Sequence, residues 1–224
     1  MSAFPNSPKL LKAGIVVADV ATSTIQRVIS LQYNPDTLTR SLAPQALASE
    51  EKDRSEAMRL KGPAVETIKL EAEIDATDQL ADPDNHPDAV QFGIHPQLAT
   101  LEILAHPSSA DLLANSALEA QGMLEIIPME SPLLLFVWSR NRITPVRLTD
   151  FSITEEAFDP DLNPIRAKIS LGLRVLSVDD LGYQHPGGIL FMSYLAQKEQ
   201  LAARSVSAAL SVLGLNANPL GGRA

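Results

Sequence analysis

The chain has 224 residues, 45% of them hydrophobic, and it contains no cysteine. This length and composition fit one good core, and the lack of cysteine excludes disulfides, thiolate nucleophiles and cysteine-ligated metal centres. The formal net charge of −9, with no basic patch in the sequence, argues against nucleic acid and anionic membranes as partners.

Alternating apolar residues predict two early strands, at Leu11 to Val17 and Ile25 to Tyr33. Pro35 fixes its own φ and pushes Asn34 toward extended geometry, so we expect the second strand to end at this pair. A strand end followed by a turn is the plain interpretation of Asn34 and Pro35. The alternative is that they grip a neighbouring subunit.

A polar stretch, Ser41 to Lys61, follows and shows no sustained alternation. Its high helix propensity also allows a short or partner-induced helix at Ala46 to Leu60. We interpret the stretch as an arm that orders against a neighbouring subunit, and a solvated insertion is the alternative.

The middle of the chain returns to regular patterns. Val65 to Asp75 alternates between an apolar and a charged face, which predicts a strand with one buried side. Asp78 to Pro87 is acidic and rich in turn residues. A short helix is predicted to begin at Pro96 and to run to Ala105, with Leu98, Leu101 and Leu104 or Ala105 as its apolar stripe.

Further strands and a final helix are predicted in the second half. Proline in the third of these strands, Pro145, indicates a sheet edge or a bulge. The last strand alternates most clearly and has a cationic outer face. The predicted strands are Leu124 to Ile127, Leu133 to Ser139, Ile143 to Leu148 and Ile165 to Val175, and the helix is Ile189 to Ser211.

Taken together, these patterns predict a mainly β protein, an antiparallel barrel or sandwich with one short internal helix and a C-terminal helix. We divide it into a β domain at 1–188 and a C-terminal helix with a flexible tail at 189–224. The apolar stretch Ile189 to Leu215 is interrupted by charged residues and does not predict a membrane span. The N-terminus lacks the pattern of a secretory signal, which favours assembly in the cytoplasm.

No motif for catalysis, cofactor binding or metal binding stands out. All four histidines precede proline and are interpreted as turn residues (His86, His95, His106 and His185). Two acidic turns, one at Asp82 to Asp88 and one at Asp159 to Asn163, lack both the glycine and the closing glutamate of a calcium loop. We therefore predict no catalytic, cofactor or metal site and no enzyme activity, with a small hydrolase or a ligand-binding barrel as the alternative.

The run from Gln32 to Ser41 reads Gln-Tyr-Asn-Pro-x-x-Leu-x-Arg-Ser. It resembles the tube-like domain of baseplate hub adaptors in extracellular contractile injection systems, which are phage-tail-like particles of bacteria. The segments around Ile68 to Asp78, Phe136 to Thr149 and Phe151 to Ala167 resemble later parts of that domain in the same order. Family members commonly carry a LysM module after it, and no such module is evident here.

This resemblance implies a tail-tube-like barrel and a structural role. The subunit would form a six-fold ring that joins the inner tube to the central spike, with tube or tube-initiator subunits, the spike and other baseplate proteins as partners. An inner tube or tube-initiator subunit is the alternative. The particle would stay in the cytoplasm or be released.

Five residues are candidates for subunit interfaces. Arg40 and Ser41 close the motif, and Trp138 is the only tryptophan. Alternation places Trp138 on one face with Leu134 and Phe136, so packing in the core is its main interpretation. Aromatic and arginine residues are also favoured at interfaces, and Arg140 and Arg142 lie close by in the sequence.

Overall fold

The structure is a computed structural model that describes residues 11–22, 24–46, 59–120, 131–216 and 218–221. Its strands all join one antiparallel sheet in the order β2-β1-β5-β6-β7-β4-β3. The mainly β class is therefore confirmed. The strands are β1 Gly14–Asp19, β2 Thr24–Ser30, β3 Leu38–Ala46, β4 Leu60–Asp75, β5 Leu133–Ser139, β6 Arg142–Phe158 and β7 Pro164–Val175.

The sequence predicted a barrel or a sandwich, and the barrel form does not occur, because the sheet stays open. In the described part of the chain no strand pairs with the outer side of β2 or of β3. Beyond the end of β3, β4 forms the edge of the sheet, and the side chain of Gln32, just after β2, bonds there to the backbone of Asp75. A side chain therefore takes the place that a strand ladder would occupy in a closed barrel.

The core lies against the central strands, as their alternation predicted. On β7 the residues Ala167, Ile169, Leu171 and Leu173 are all buried, and on β4 Ile68 and Leu70 face them. The helix predicted at 96–105 forms, and its Leu98 and Leu101 are buried while Leu104 packs at the edge of the core. The strands β4 and β7 thus each bury one mainly apolar face and carry charged residues mainly on the other.

The sequence predicted one short internal helix, but the described residues between β4 and β5 form four α-helices. They are α1 Thr77–Leu80, α2 Pro87–Phe92, α3 His95–Glu102 and α4 Ser109–Ala120, with short 3₁₀ turns at Pro83–Asn85 and Ile103–Ala105. Proline is favoured at the first turn of a helix, so the pairs His86-Pro87 and His95-Pro96 start α2 and α3 rather than plain turns. Ser108 caps α4, because its Oγ accepts a hydrogen bond from the N–H of Asp111.

The C-terminal helix is displaced from its predicted bounds. A short helix α5, Val178–Leu181, is followed by α6, Pro186–Ala203, and by a 3₁₀ turn at Leu210–Leu213. The helix α6 begins at another His-Pro pair, where Nδ1 of His185 accepts from the N–H of Gly187. It ends eight residues before Ser211 because the run Ser205-Val-Ser207 disfavours helix.

Pro145 lies in an interior strand, so the prediction of a sheet edge there is wrong. The ladder between β6 and β7 ends at the pair Val146 and Val175, and the carbonyl of Pro145 accepts from Leu176 just beyond it. The nitrogen of Pro145 points to the same side as its carbonyl, past the end of the ladder. The missing N–H therefore costs no strand pairing.

Candidate assembly surfaces

The two edge strands are the most exposed elements of the sheet. On β2, Ile25 and Val28 are about two-thirds exposed, and the bulge between them places both on the same face, and on β3 Leu42 is half exposed. An edge strand with free N–H and C=O groups is a template for pairing with another chain. These two edges are the main candidate surfaces for assembly.

The hydrogen bonds at Asp75 show which backbone N–H and C=O groups of β3 point outward from the sheet. Both the N–H and the C=O of Asp75 bond to Gln32, so they point away from β7. Because residues two apart in a strand point the same way, Thr67 and Lys69 direct their groups toward Ser41 and Thr39. The N–H and C=O of Leu42 therefore point outward.

Both edges carry features that limit indiscriminate pairing. Pro44 and two register shifts lie in the last part of β3, and a bulge lies in β2 opposite Val17 and Ala18. Proline and bulges are common means of blunting an edge. The first part of β3, from Leu38 to Ala43, pairs regularly with β4 and has no such protection, which makes it the better-formed edge.

The Gln-Tyr-Asn-Pro motif works as a clamp within the chain. Nε2 of Gln32 donates to the carbonyl of Asp75 at 2.7 Å, and Oε1 accepts from the N–H of Asp75 at 2.9 Å. The amide of Asn34 does the same for the segment before β1, donating to the carbonyl of Leu11 and accepting from the N–H of Ala13. The strand β2 ends at Ser30, earlier than predicted, and these intramolecular bonds favour the plain interpretation of Asn34.

We expect Asn34→Ala to lower the free energy of unfolding by about 1–2 kcal/mol, because two backbone groups lose their partner. Thr37→Ala in the same loop is the control, since its side chain is exposed, and it should change stability by less than about 0.5 kcal/mol. Urea unfolding followed by the fluorescence of Trp138 measures both. Equal effects of the two substitutions would show that the hydrogen bonds of Asn34 to Leu11 and Ala13 do not stabilise the fold.

Arg40 belongs to a polar cluster that fixes α6 to the sheet. Glu66 on β4 is only 3% exposed, and its carboxylate accepts from Nε of Arg40 at 2.7 Å and from Nζ of Lys198 at 2.9 Å. Tyr194 also donates to it, and the ammonium of Lys198 lies 4.1 Å from the centre of the Tyr194 ring. Arg40 is therefore engaged inside its own subunit, and its predicted role at an interface stays a prediction.

The protonation of Glu66 reflects this cluster. Burial opposes the ionisation of its carboxyl, but the hydrogen bonds and positive charges of Lys198 and Arg40 outweigh burial. The pKa of Glu66 therefore lies below its ordinary value. The ionised carboxylate is the form that holds β3, β4 and α6 together.

The other interface candidates lie in two separate places. Ser41 is exposed on the edge strand β3, where it faces Thr67. Trp138, Arg140 and Arg142 come together in the hairpin between β5 and β6, with Trp138 half-buried beside the buried Phe136 at 6.1 Å between ring centroids. Packing beside the core agrees with the main interpretation of Trp138. The role of these four residues in assembly stays a prediction.

The predicted arm at Ser41 to Lys61 is partly wrong. Residues 41–46 form the second half of β3, and Leu60 and Lys61 begin β4. Residues 47–58 lie outside the described residues, as does the helix predicted over most of this stretch. The strand predicted at Leu124 to Ile127 also lies outside them.

The described residues contain no group of histidine, aspartate and glutamate side chains that could hold a metal ion. In the turn at Asp159, the carboxylate accepts from the N–H groups of Asp161 and Asn163, so it organises the turn itself. No helix in the described ranges is long and apolar enough to cross a membrane.

The cationic face predicted for β7 forms, but its charges are paired with carboxylates (Arg166 with Asp75, Lys168 with Glu156 and Arg174 with Asp180).

The helices α1 to α4 hold most of the net charge. The segment Thr77 to Ala120 contains seven aspartates and glutamates and neither lysine nor arginine, and the chain totals −9. The rest of the chain then has 27 − 7 = 20 acidic and 18 basic residues, a net charge of only −2. Like charge on this helical segment disfavours contact between the helices of two copies.

Comparison with known proteins gives distant similarities. No protein-family model matches the sequence, and no curated protein does. Among solved structures, the chain is similar to one from the tail of an empty gene transfer agent particle, computed with helical refinement and C6 symmetry, at 12% identity and a TM-score of 0.29. A chain from the virion of a native gene transfer agent particle is similar at 10% identity and a TM-score of 0.27. In both pairs the match covers 73% of this chain and 90% of the other. Similarities this distant assign neither a fold nor a function.

Proposed function

We propose that this protein is a structural, non-enzymatic subunit of a phage-tail-like contractile injection particle. It forms a ring that adapts the inner tube to the central spike. The observation that supports this best is the single antiparallel sheet with two open and different edges, β2 and β3. The resemblance of the Gln32 to Ser41 motif to hub adaptors supports the same proposal.

Two different edges on one subunit favour a ring. If β3 of one copy pairs with β2 of the next, the contact is head to tail, and a head-to-tail contact closes into a ring when its rotation allows. Main-chain hydrogen bonds supply the affinity in this mode of association. The shielded end of β3 at Pro44 restricts the pairing to one register, because only the first part of the strand is regular.

The motif and the Glu66 cluster serve the ring by fixing the subunit's shape. Gln32 ties the segment after β2 to the end of β4, and Asn34 ties it to the segment before β1. Glu66 fastens α6 to β3 and β4. An edge that pairs in a defined register must be rigid before it meets its neighbour, since ordering it at that moment would cost conformational entropy. The rigid sheet therefore lowers the cost of assembly.

Electron microscopy of particles from native cells, with and without the gene, tests this function. We expect cells without it to yield no complete particles, and a plasmid copy of the gene to restore them. Quantitative mass spectrometry of purified particles then counts the copies. A copy number that suffices for about one ring per particle end supports an adaptor, whereas many copies along the tube would support an inner tube subunit. Normal particles that lack the protein would refute both.

A further inference from the structure

A groove of about 380 Å³ lies in the gap between the two ends of the sheet. Its walls are Val28 and Ile29 of β2, Ala72 and Ile74 of β4, and Leu101 of α3. Among the described residues that line it, only Glu73 carries a charge. The groove is therefore suited to an apolar, uncharged occupant.

The groove also offers hydrogen-bonding groups. The ladder between β3 and β4 stops at Leu38 and Leu70, so Glu71 and Glu73 lie beyond it. Like Asp75, they direct N–H and C=O away from β7, and no strand of the described chain pairs with them there. Gln97 also lines the groove, and its buried Oε1 has no partner among the described residues. An extended peptide backbone could satisfy these groups.

The C-terminal segment after α6 has the complementary character. From Ser205 to Gly221 the sequence contains no charged residue. Its large apolar side chains are uncovered: Val206 is 94% exposed, Leu213 72% and Leu220 90%. Apolar surface on this scale normally marks a site of contact with another molecule.

The segment does not fill the groove of its own chain. None of the residues that line the groove comes from it. The buried residues of α6 all lie in its first half, up to Tyr194, and the second half contacts the sheet through Lys198, which bonds to Glu66. Within the described residues, one molecule thus presents an apolar groove that the segment does not line and, at the same time, an exposed apolar segment.

We propose that residues Leu210 to Leu215 of one subunit occupy the groove between β2 and β4 of the next. This inference rests on the proposed ring, in which neighbours meet head to tail, and it identifies a second contact between them. The segment is uncharged, as the groove requires. Its 3₁₀ turn at Leu210–Leu213 opens on docking, and its backbone then pairs with the open groups of Glu73. Each subunit then donates its segment to one neighbour and accepts the segment of the other neighbour. In a closed ring, every groove is therefore filled.

The lack of native cysteine allows a direct test by disulfide formation. One chain carries Leu213→Cys, and a second, enlarged by an affinity tag, carries Thr100→Cys beside the groove. The two full-length proteins are mixed and oxidised, and products are separated on a non-reducing gel. We expect a mixed dimer to form on the order of 100-fold faster than with the control. Docked thiols react at a millimolar effective concentration, whereas free chains at micromolar concentration meet only by collision. The control replaces Thr100→Cys with Asp161→Cys, which is exposed in the turn between β6 and β7.

Other outcomes overturn the proposal. Equal rates with Thr100→Cys and Asp161→Cys, or dimers of Leu213→Cys alone, would show that the segment does not dock at the groove. A chain with both Leu213→Cys and Thr100→Cys that forms only an internal disulfide would place the segment in its own groove. If the native chain forms rings but the mixed dimer is absent, only this inference fails. If the native chain forms no ring and is absent from particles, the proposed function fails.

Discussion

Glu66→Ala is expected to lower the free energy of unfolding by about 3 kcal/mol, the largest effect of any single side chain outside the apolar core. The substitution removes the shared acceptor of Arg40, Lys198 and Tyr194. Two positive charges then face each other across the junction of β3 and α6. Urea unfolding followed by the fluorescence of Trp138, the single tryptophan, measures the loss.

Glu71→Ala is the matched control for this experiment. Glu71 lies on the same strand five residues later, it is exposed, and no ion pair involves it among the described residues. Its removal should change stability by less than about 0.5 kcal/mol. If Glu66→Ala were as mild as Glu71→Ala, the cluster would not hold α6 to the sheet.

The same cluster predicts a loss of stability in acid. The pKa of Glu66 is lower in the folded protein than its ordinary value of 4.5. A carboxyl with a depressed pKa binds protons more readily when unfolded, so its contribution is complete above about pH 4.5 and is lost as the pH falls through the lowered value. Glu66→Gln should remove the part of the acid dependence that Glu66 causes. The pKa values of Asp75 and Asp159 are also lowered, so these two carboxyls should still make the variant less stable in acid. Unchanged acid dependence in Glu66→Gln would contradict this assignment.

The long strands could be predicted because alternation is a local signal. The patterns at Val65 to Asp75 and Ile165 to Val175 agree with the structure for most of the predicted buried residues, and only Ile74 and Ile165 are partly buried. The openness of the sheet could not be predicted in this way. Whether β2 and β3 meet depends on the curvature of the whole sheet, and this curvature cannot be deduced from any short stretch of sequence. The helices α2 and α4 did have local signals, the pair His86-Pro87 and the capping residue Ser108, which apolar periodicity alone does not detect.

The candidate surfaces were less predictable than the strands. Arg40 and Glu66 are 26 residues apart, and Lys198 lies 132 residues from Glu66, so only the folded chain shows that they form one cluster. The motif from Gln32 to Asn34 was visible as a turn, but its long-range bonds to Asp75 and Leu11 were not. Polar composition alone favoured an arm at Ser41 to Lys61. Pairing with β4 outweighs this local preference over residues 41–46, as tertiary context often does for strand residues.

Leu42→Pro is expected to abolish assembly while leaving the subunit folded. Its N–H points outward from the edge strand β3, so proline removes a donor that only a neighbouring chain would use. Ser41→Pro is the matched control, because the N–H of Ser41 points toward Thr67 on β4. It should lower the free energy of unfolding by about 2 kcal/mol.

Two measurements separate the effects of these substitutions. Urea unfolding should show near-native stability for Leu42→Pro, and sedimentation or electron microscopy should show that it stays monomeric where the native chain forms rings. Leu42→Thr, which keeps the N–H and loses the apolar side chain, should assemble better than Leu42→Pro if main-chain bonds carry the contact. Normal rings from Leu42→Pro would mean that the edge of β3 stays free in the particle. Neighbours would then have to meet through other surfaces, and the ring built on the two open edges of the sheet would be wrong.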